Sequence, residues 1–400
     1  MKHTIVIAAG QAGASLVAKL RGLGDTGAIT LIGAESVPPY QRPPLSKAYL
    51  LGEMPAERLF LRPEAYYAEQ NITLRLGQTV TAIDTAAQTV TLGDEVLAYD
   101  DLVLTTGSTP RRLPASIGGD LAGVFTLRDL ADVDAMQPYF TPGKRVVIVG
   151  GGYIGLEGAA VAAKLGLDVT VVEMAPRILQ RVAAPETSNF FRDLHSQHGV
   201  KILESTGLDR LIGTVHVSAA RLTDGREIPA DFVMVGVGIT PATNLAAAAG
   251  IALDNGIATD AQGHTSAPHV WAAGDCASFP TATGQMRLES VPNAIDQAEI
   301  VAANILGAAT PYVPEPWFWS DQYDIKLQIA GLNTGYDHIA TRQTEGAVSF
   351  WYYKGETLLA VDAMNDPRAF MVAKRLLAIG KSPTPAQVTN PETDLKTLLK

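Results

Sequence analysis

Cysteine is almost missing from this 400-residue chain: Cys276 is the only one. A single thiol forms neither an intramolecular disulfide nor an internal redox dithiol, and cysteine-ligated iron–sulfur and zinc sites are excluded with them. Long apolar runs are missing too. None reaches the roughly 18 residues that span a bilayer, so no spanning helix and no membrane partner are expected. Basic residues are the minority, 31 Lys and Arg against 41 Asp and Glu, and the net charge of −10 argues against a nucleic-acid partner. The histidines show no metal-ligand spacing. His195 and His198 lie three apart on a predicted helix and read as a surface pair without a third ligand, so no metal is expected. No Gly-x-Ser-x-Gly nucleophile motif occurs. Cys276, just after a Gly-Asp turn, reads as a packed small residue rather than a nucleophile.

What is present describes an ordinary globular chain, 47% apolar and 18% charged, long enough for two or three domains. Met1-Lys2-His3 before an apolar stretch has the outline of a signal peptide. The same residues are needed as the start of a nucleotide-binding unit, so a cytoplasmic protein is expected. That unit reads strand 4–7, helix 13–23, strand 29–32, and it recurs as strand 145–149, helix 154–165, strand 168–172. Both copies carry a glycine turn between first strand and helix. The second has the full G-x-G-x-x-G spacing at Gly150, Gly152 and Gly155: a glycine for the tight turn, one for close approach of a pyrophosphate, one for helix–strand packing. The pyrophosphate then meets free N–H groups at a helix N-terminus. Glu173 ends the next strand, where a carboxylate accepts hydrogen bonds from an adenosine ribose and repels a 2′-phosphate. That favours NADH over NADPH; Arg177 and Arg181, close by in sequence, count the other way.

The first turn, Ala8 through Gly13, departs from this pattern. Gly10 and Gly13 are in place, with Gln11 and Ala12 between them, but Ala8 stands where the first glycine belongs. Its methyl group is expected to crowd the turn or shift it. Glu35, just past the second strand, is the ribose candidate, with a solvated loop carboxylate as the alternative. Prolines between Val37 and Lys47 predict a rigid loop that excludes helix. Thr106 and Gly107 end a strand at the crossover toward the second unit. Gly274 and Asp275 follow the strand at 270–272, where an aspartate is able to bind a flavin ribityl hydroxyl. From about residue 312 the sequence changes to aromatic-rich alternating strands at 325–331, 338–342, 347–353 and 357–362. A helix at 367–378 and a polar, proline-containing tail complete it.

At this point the chain resembles a family: the FAD-dependent, NADH-oxidising ferredoxin reductases of the putidaredoxin reductase and rubredoxin reductase type, which serve bacterial cytochrome P450 and ring-hydroxylating dioxygenase systems. The resemblance rests on Pro39 through Lys47 (Pro-Tyr-Gln-Arg-Pro-Pro-Leu-Ser-Lys), Phe60 through Pro63, Gly150 through Glu157, Trp271 through Cys276, Glu289 through Val291, and Pro316 through Tyr323. Pro292 departs from it, standing where a polar residue such as glutamine is expected.

The resemblance implies an α/β, glutathione-reductase-like fold: two Rossmann-type nucleotide-binding domains and a small α+β C-terminal domain. FAD falls to residues 1–108 and 241–315, NADH to 109–240, and residues 316–400 complete the flavin pocket and much of the partner surface. It places Lys47 near the flavin and Glu157 near the nicotinamide, as a catalytic pair. FAD contacts are expected from Gly10, Gln11, Ala12, Gly13, Glu35, Arg42, Lys47, Thr106, Gly107, Arg128, Gly274, Asp275, Ser290, Val291 and Trp319. NAD contacts are expected from Gly150, Gly152, Tyr153, Ile154, Gly155, Glu157, Glu173, Gly236 and Gly238. For Arg42 a structural salt bridge is the competing reading, and for Trp317 and Trp319 simple core packing. The implied partner is a two-iron two-sulfur ferredoxin, with rubredoxin less favoured, and Lys374, Arg375 and Lys381 are candidates for a local basic patch. A cysteine-dependent disulfide reductase or peroxidase lacks its thiol near position 40. A cysteine-independent flavin NADH oxidase and a non-enzymatic redox-sensing flavoprotein, like the apoptosis-inducing-factor relatives, stay open; oxygen turnover without a carrier marks the first, very slow NADH oxidation with every acceptor the second.

Overall fold

A computed structural model of the chain describes residues 2–282 and 284–400, which fall into two compact units. One is built from residues 1–41, 56–109 and 240–316, the other from 42–55, 110–239 and 317–400.

The first unit centres on a parallel five-stranded sheet in the order Val270–Ala272, Asp101–Leu104, His3–Ile7, Ala28–Ile32, Ile72–Arg75. Its strands are continuous β-branched and leucine runs because both faces are covered. On one face Val6, Leu31 and Val103 pack against Leu16 and Leu20 of the Gln11–Gly22 helix and Val301 of the Val291–Ile305 helix. On the other, Ile5, Ile7 and Leu102 meet Val80, Ile83 and Val90 of an antiparallel three-stranded sheet. Ser290 caps the Val291–Ile305 helix by accepting from the Asn293 N–H, and Pro292 sits within its first turn, where a missing N–H costs nothing.

The second unit repeats the arrangement with Lys201–Leu203, Asp168–Val172, Arg145–Val149, Phe232–Val235 and Val124–Thr126 in sheet order. The Tyr153–Lys164 helix buries Ala159, Ala160 and Ala162, small residues that bring its backbone close to its neighbours. Its C-terminal segment is an antiparallel sheet ordered Trp317–Gln322, Ile325–Gly331, Thr357–Met364, Ala347–Lys354, His338–Thr344. The Pro367–Ala378 helix packs on one face through Phe370, Val372 and Leu376. On the other face Leu327, Phe350 and Tyr352 meet Leu156, Leu179 and Phe191.

Two expectations are corrected. The proline loop is not free of helix: Pro43–Ser46 form a single 3₁₀ turn, because proline in a first turn forfeits no hydrogen bond. The polar tail, for its part, is docked. Val388, Leu395 and Leu398 are buried, and the Arg342 guanidinium donates to the carbonyls of Val388, Asn390, Pro391 and Thr393. His195 is fully buried, so it forms no surface pair with the exposed His198.

The two glycine turns have the same shape despite Ala8. Ala8 adopts φ 83° and Gly150 φ 105°; the Ala8 N–H donates to Ile32 O at 2.9 Å and the Gly150 N–H to Val172 O at 2.8 Å. The methyl group therefore neither opens nor shifts the turn. It leaves a left-handed alanine, which costs about 1–2 kcal/mol. At Gly150 the constraint is harder, since a methyl group there would lie 2.4 Å from the Gly236 carbonyl oxygen.

Ala8→Gly is therefore expected to stabilise the protein by about 1 kcal/mol once glycine's greater unfolded-state freedom is subtracted. A denaturant midpoint that stays put or falls contradicts this account. A second expectation concerns Asp362, buried between the C-terminal sheet and the Pro185–Gln197 helix, where it accepts from the hydroxyls of Tyr352 and Thr187 (2.7 Å for Thr187). Burial pushes its carboxyl up to about 6, against the donors that pull it down. The folded chain thus binds this proton more tightly than the unfolded chain. Ionised Asp362 opposes folding above about pH 6, and the opposition fades as pH falls toward 4. Between pH 7 and pH 4 the parent should gain about 2 kcal/mol of stability over Asp362→Asn. Parallel stability profiles for the two proteins contradict that origin.

Candidate functional site

The first unit carries an open terminus on its long first helix. Gly10 is the N-cap of the Gln11–Gly22 helix, in extended backbone conformation, with no side-chain cap and no acidic residue in the first turn. A methyl group at Gly10 would meet nothing within 4 Å, whereas one at Gly13 would lie 2.4 Å from the Ala8 carbonyl oxygen. The central glycine thus faces open space and the last glycine is pressed against the turn, the division of labour a pyrophosphate cradle needs. Beside it lies a hollow of about 360 Å³, lined by Ile7, Ala8, Ile32, Thr106, Pro241 and Leu245 among others.

Around this cradle the unit collects most of its expected flavin residues. Gln11 reaches Ser15, and Ala12 is buried under Gly274, whose N–H donates to the Gln297 side chain at 2.8 Å. Asp275 accepts from Ser108 Oγ at 3.0 Å, and Thr106 Oγ1 donates to Ala242 O at 2.7 Å. Gly107 O receives the Ala242 N–H. Ser290 and Val291 open the helix that carries Gln297. Glu35 is not a bare loop carboxylate: the Tyr40 hydroxyl donates to it at 2.5 Å. Cys276 is fully buried, its thiol directed at the Leu104 and Ala273 carbonyls and its pKa raised by burial, so it behaves as a packed residue.

The second unit holds the matching terminus. Gly152 caps the Tyr153–Lys164 helix in the same extended conformation, again without a side-chain cap or a first-turn acid, and a methyl group there meets nothing within 4 Å. At Gly155 it would lie 2.1 Å from Gly150 O. Glu173 closes over the turn, accepting from the Gly151 N–H at 2.7 Å and the Ala175 N–H at 2.8 Å. Arg177, the nearer of the two arginines that argued for a 2′-phosphate, is committed elsewhere, to Ser188 Oγ at 2.6 Å. Gly236 packs against Gly150, and Gly238 O receives the Arg111 N–H. Ile154 is 43% exposed at the helix start. Tyr153 turns inward instead, its ring 4.8 Å from that of Phe318 and its pKa driven well up by burial.

Within the same unit the catalytic candidates meet. Lys47 Nζ lies 2.8 Å from Glu157 Oε2, with 2% of the glutamate side chain exposed and 19% of the lysine. Glu157 Oε2 also accepts from Ser46 Oγ at 2.5 Å, and Oε1 from Ser320 Oγ at 2.6 Å. Lys47 donates in addition to Pro43 O at 3.2 Å. Arg42 donates to Arg128 O at 2.6 Å, which brings those two expected residues together. Trp317 and Trp319 are half-buried neighbours, ring centroids 5.5 Å apart, and Lys374 Nζ stands 5.0 Å over the Trp317 ring. Lys381 is held at the chain end by Lys400 O.

Sequence reading missed Ser46, Ser320 and Gln322 as site residues. Their signal lay inside segments already singled out, Arg-Pro-Pro-Leu-Ser-Lys and Phe-Trp-Ser-Asp-Gln, where the neighbouring Lys47 and Trp319 took the attention.

Comparison with known proteins agrees with this arrangement. The pyridine nucleotide-disulphide oxidoreductase family model matches residues 2–298 and the reductase C-terminal model residues 317–399. The chain is 42% identical to rhodocoxin reductase of Rhodococcus erythropolis over 98% of its own length and 93% of that protein's. It is likewise 42% identical to putidaredoxin reductase of Pseudomonas putida, over 94% and 91%. Among solved structures, the covalent putidaredoxin reductase–putidaredoxin complex superposes with a TM-score of 0.95 at 40% identity, covering 100% of this chain and 98% of the reductase chain matched. The chain therefore belongs to the pyridine nucleotide-disulphide oxidoreductase family, in the branch of FAD- and NAD(P)H-dependent ferredoxin reductases.

Proposed function

We propose that this protein transfers electrons from NADH, through FAD, one at a time to a small two-iron two-sulfur ferredoxin that feeds a cytochrome P450 or a ring-hydroxylating dioxygenase. The observation that carries the reading is the pairing of two open helix termini with one buried Lys47–Glu157 couple. Relatives are named as reductases of rhodocoxin, putidaredoxin, terpredoxin and rubredoxin, and one as the reductase component of an anthranilate dioxygenase system.

The residues fit both nucleotides. Gly10 and the N–H groups after it take the FAD pyrophosphate, Glu35 the ribose, and Asp275 with the Ser290–Val291 helix start the flavin side. FAD thus belongs to residues 1–108 and 241–315. Gly152 and its following N–H groups take the NAD pyrophosphate within 109–240. Glu173 is fixed by two backbone donors, so its carboxylate stays where an adenosine 2′-hydroxyl binds and a 2′-phosphate is repelled. With Arg177 tied to Ser188, this supports NADH as the donor. Bound FAD supplies the conversion of a hydride pair into single electrons; the protein supplies orientation and charge. Lys47 carries that charge at the cofactor, and Glu157 with Ser46 fixes its position. Residues 316–400 contribute Trp319 to the cofactor and Lys374 and Arg375 to a partner surface. Among the described residues no helix is long and apolar enough to cross a membrane, and a cytoplasmic setting suits NADH as reductant.

A disulfide reductase, the reading the family's name invites, is not supported, because the one cysteine is buried and has no second thiol.

The testing experiment combines NADH, FAD-loaded protein, a panel of ferredoxins and cytochrome c. Carrier-dependent cytochrome reduction is the expected result; equally fast oxygen reduction without any carrier overturns the reading in favour of an NADH oxidase. Lys47→Ala should slow flavin reduction by NADH roughly tenfold or more, the scale of one lost charge-assisted contact. Unchanged stopped-flow bleaching removes Lys47 from the mechanism.

A further inference from the structure

Behind Glu157 runs a chain of hydrogen bonds that ends at the protein surface. Ser320 Oγ donates to Glu157 Oε1 at 2.6 Å, and Gln322 Nε2 donates to Ser320 Oγ at 3.2 Å. Gln322 Oε1 lies 2.8 Å from His195 Nε2, and His195 Nδ1 lies 3.1 Å from the Tyr323 hydroxyl. Tyr323 is half-buried and stacks on the exposed His198, ring centroids 3.6 Å apart.

The donors in this chain are fixed by elimination. A carboxamide oxygen only accepts, so His195 Nε2 must carry the hydrogen. In a neutral ring Nδ1 is then an acceptor, and Tyr323 must donate to it. Burial keeps the ring neutral, lowering its pKa to about 4, with His198 acting in the same direction and Gln322 against it. Every hydrogen in the series Tyr323, His195, Gln322, Ser320 consequently points toward the Glu157 carboxylate, and bonds aligned head to tail polarise one another. A carboxamide does not relay protons readily, so the chain orients rather than conducts.

We propose that His195 is a positioning residue for Glu157: its Nε2–H locks the Gln322 carboxamide so that the Ser320 hydroxyl is delivered to the carboxylate that holds Lys47. Turning the carboxamide over would set its NH2 against the His195 N–H. It would also offer Ser320 a carbonyl oxygen to donate to, so that Ser320 would no longer serve Glu157. In its Nε2–H tautomer His195 opposes that orientation from three hydrogen bonds away; to accept it the ring would have to move its hydrogen to Nδ1 and Tyr323 would have to turn from donor to acceptor. The charged and titratable groups around the two ends are Lys47 and Tyr153 at Glu157, and His198 and Tyr323 at His195. The inference deepens the proposed function, because it assigns regulation of the pair that reading puts at the cofactor.

Two variants of the FAD-loaded protein test it. His195→Gln keeps a donor near the Nε2 position, while His195→Leu removes it; both lose the ring and its packing. The carboxylate stretching band of Glu157, identified by difference against Glu157→Gln, should shift in His195→Leu and return to the parent position in His195→Gln. Flavin reduction at saturating NADH should slow about three- to tenfold in His195→Leu, with the NADH dissociation constant unchanged, and recover in His195→Gln. An unshifted band in His195→Leu, or equal shifts in both variants, overturns the inference. The underlying reading fails separately, if Glu157→Gln itself reduces flavin at the parent rate.

Discussion

A carboxylate with almost no access to water sets the terms for the site. Glu157 is 2% exposed, on a helix whose neighbouring positions are alanine and glycine chosen for close packing. A buried anion without partners is too costly to keep, and removing one partner of a buried pair strands the other. The chain meets this with donors from two further segments: Ser46 and Lys47 from the proline turn, and Ser320 from the first strand of the C-terminal sheet. The requirement reaches outward. Pro43 and Pro44 stiffen the turn that presents Ser46 and Lys47, and Pro43 lends its carbonyl to the same ammonium. A lysine this confined has few rotamers left, and a charge fixed before a cofactor binds need not be reorganised when electrons arrive.

The two helix termini follow the opposite policy. Where Glu157 is saturated with partners, Gly10 and Gly152 are left without caps, acids or covering side chains. Four other helices are capped by Asp129, Ser290, Asp366 and Thr384, and those starting at Glu64 and Pro185 carry an acid in the first turn; among the described residues only the five-residue Asn244–Ala248 helix is similarly bare. An uncapped terminus forgoes about 1 kcal/mol of helix stability, and an anion restores it on binding. An anion bound at either terminus would couple to the folding of its sheet through the same N–H groups.

Much of this was legible in the residue order. The parallel sheets follow from β-branched runs set between glycine turns, and the Pro367–Ala378 helix and the Asp168–Val172 strand have the boundaries periodicity indicates. Lys47 and Glu157, 110 positions apart, were named together only through the family resemblance, since spacing alone does not bring a loop lysine to a helix carboxylate. What stayed hidden has physical reasons. His195 read as half of a surface pair because a helical histidine with few acids nearby and no third ligand is ordinarily solvated; Gln322, distant in sequence, gives its ring a buried partner. The tail read only as polar and proline-containing, and its docking rests on Arg342, more than forty positions earlier, which donates to four of its carbonyls. Long-range polar pairing leaves no periodic trace.

Ala8 shows how far a motif stretches before it fails. At Gly150 the facing Gly236 carbonyl leaves no room for a methyl group, so glycine is required by contact as well as by φ. At Ala8 only the conformational requirement applies, and an alanine meets it at a cost small beside the binding energy a dinucleotide supplies. The missing first glycine therefore weakens the sequence signature while the turn keeps its shape, with Gly10 facing open space and Gly13 pressed against the Ala8 carbonyl. A pattern search that demands all three glycines rejects a turn whose backbone is intact.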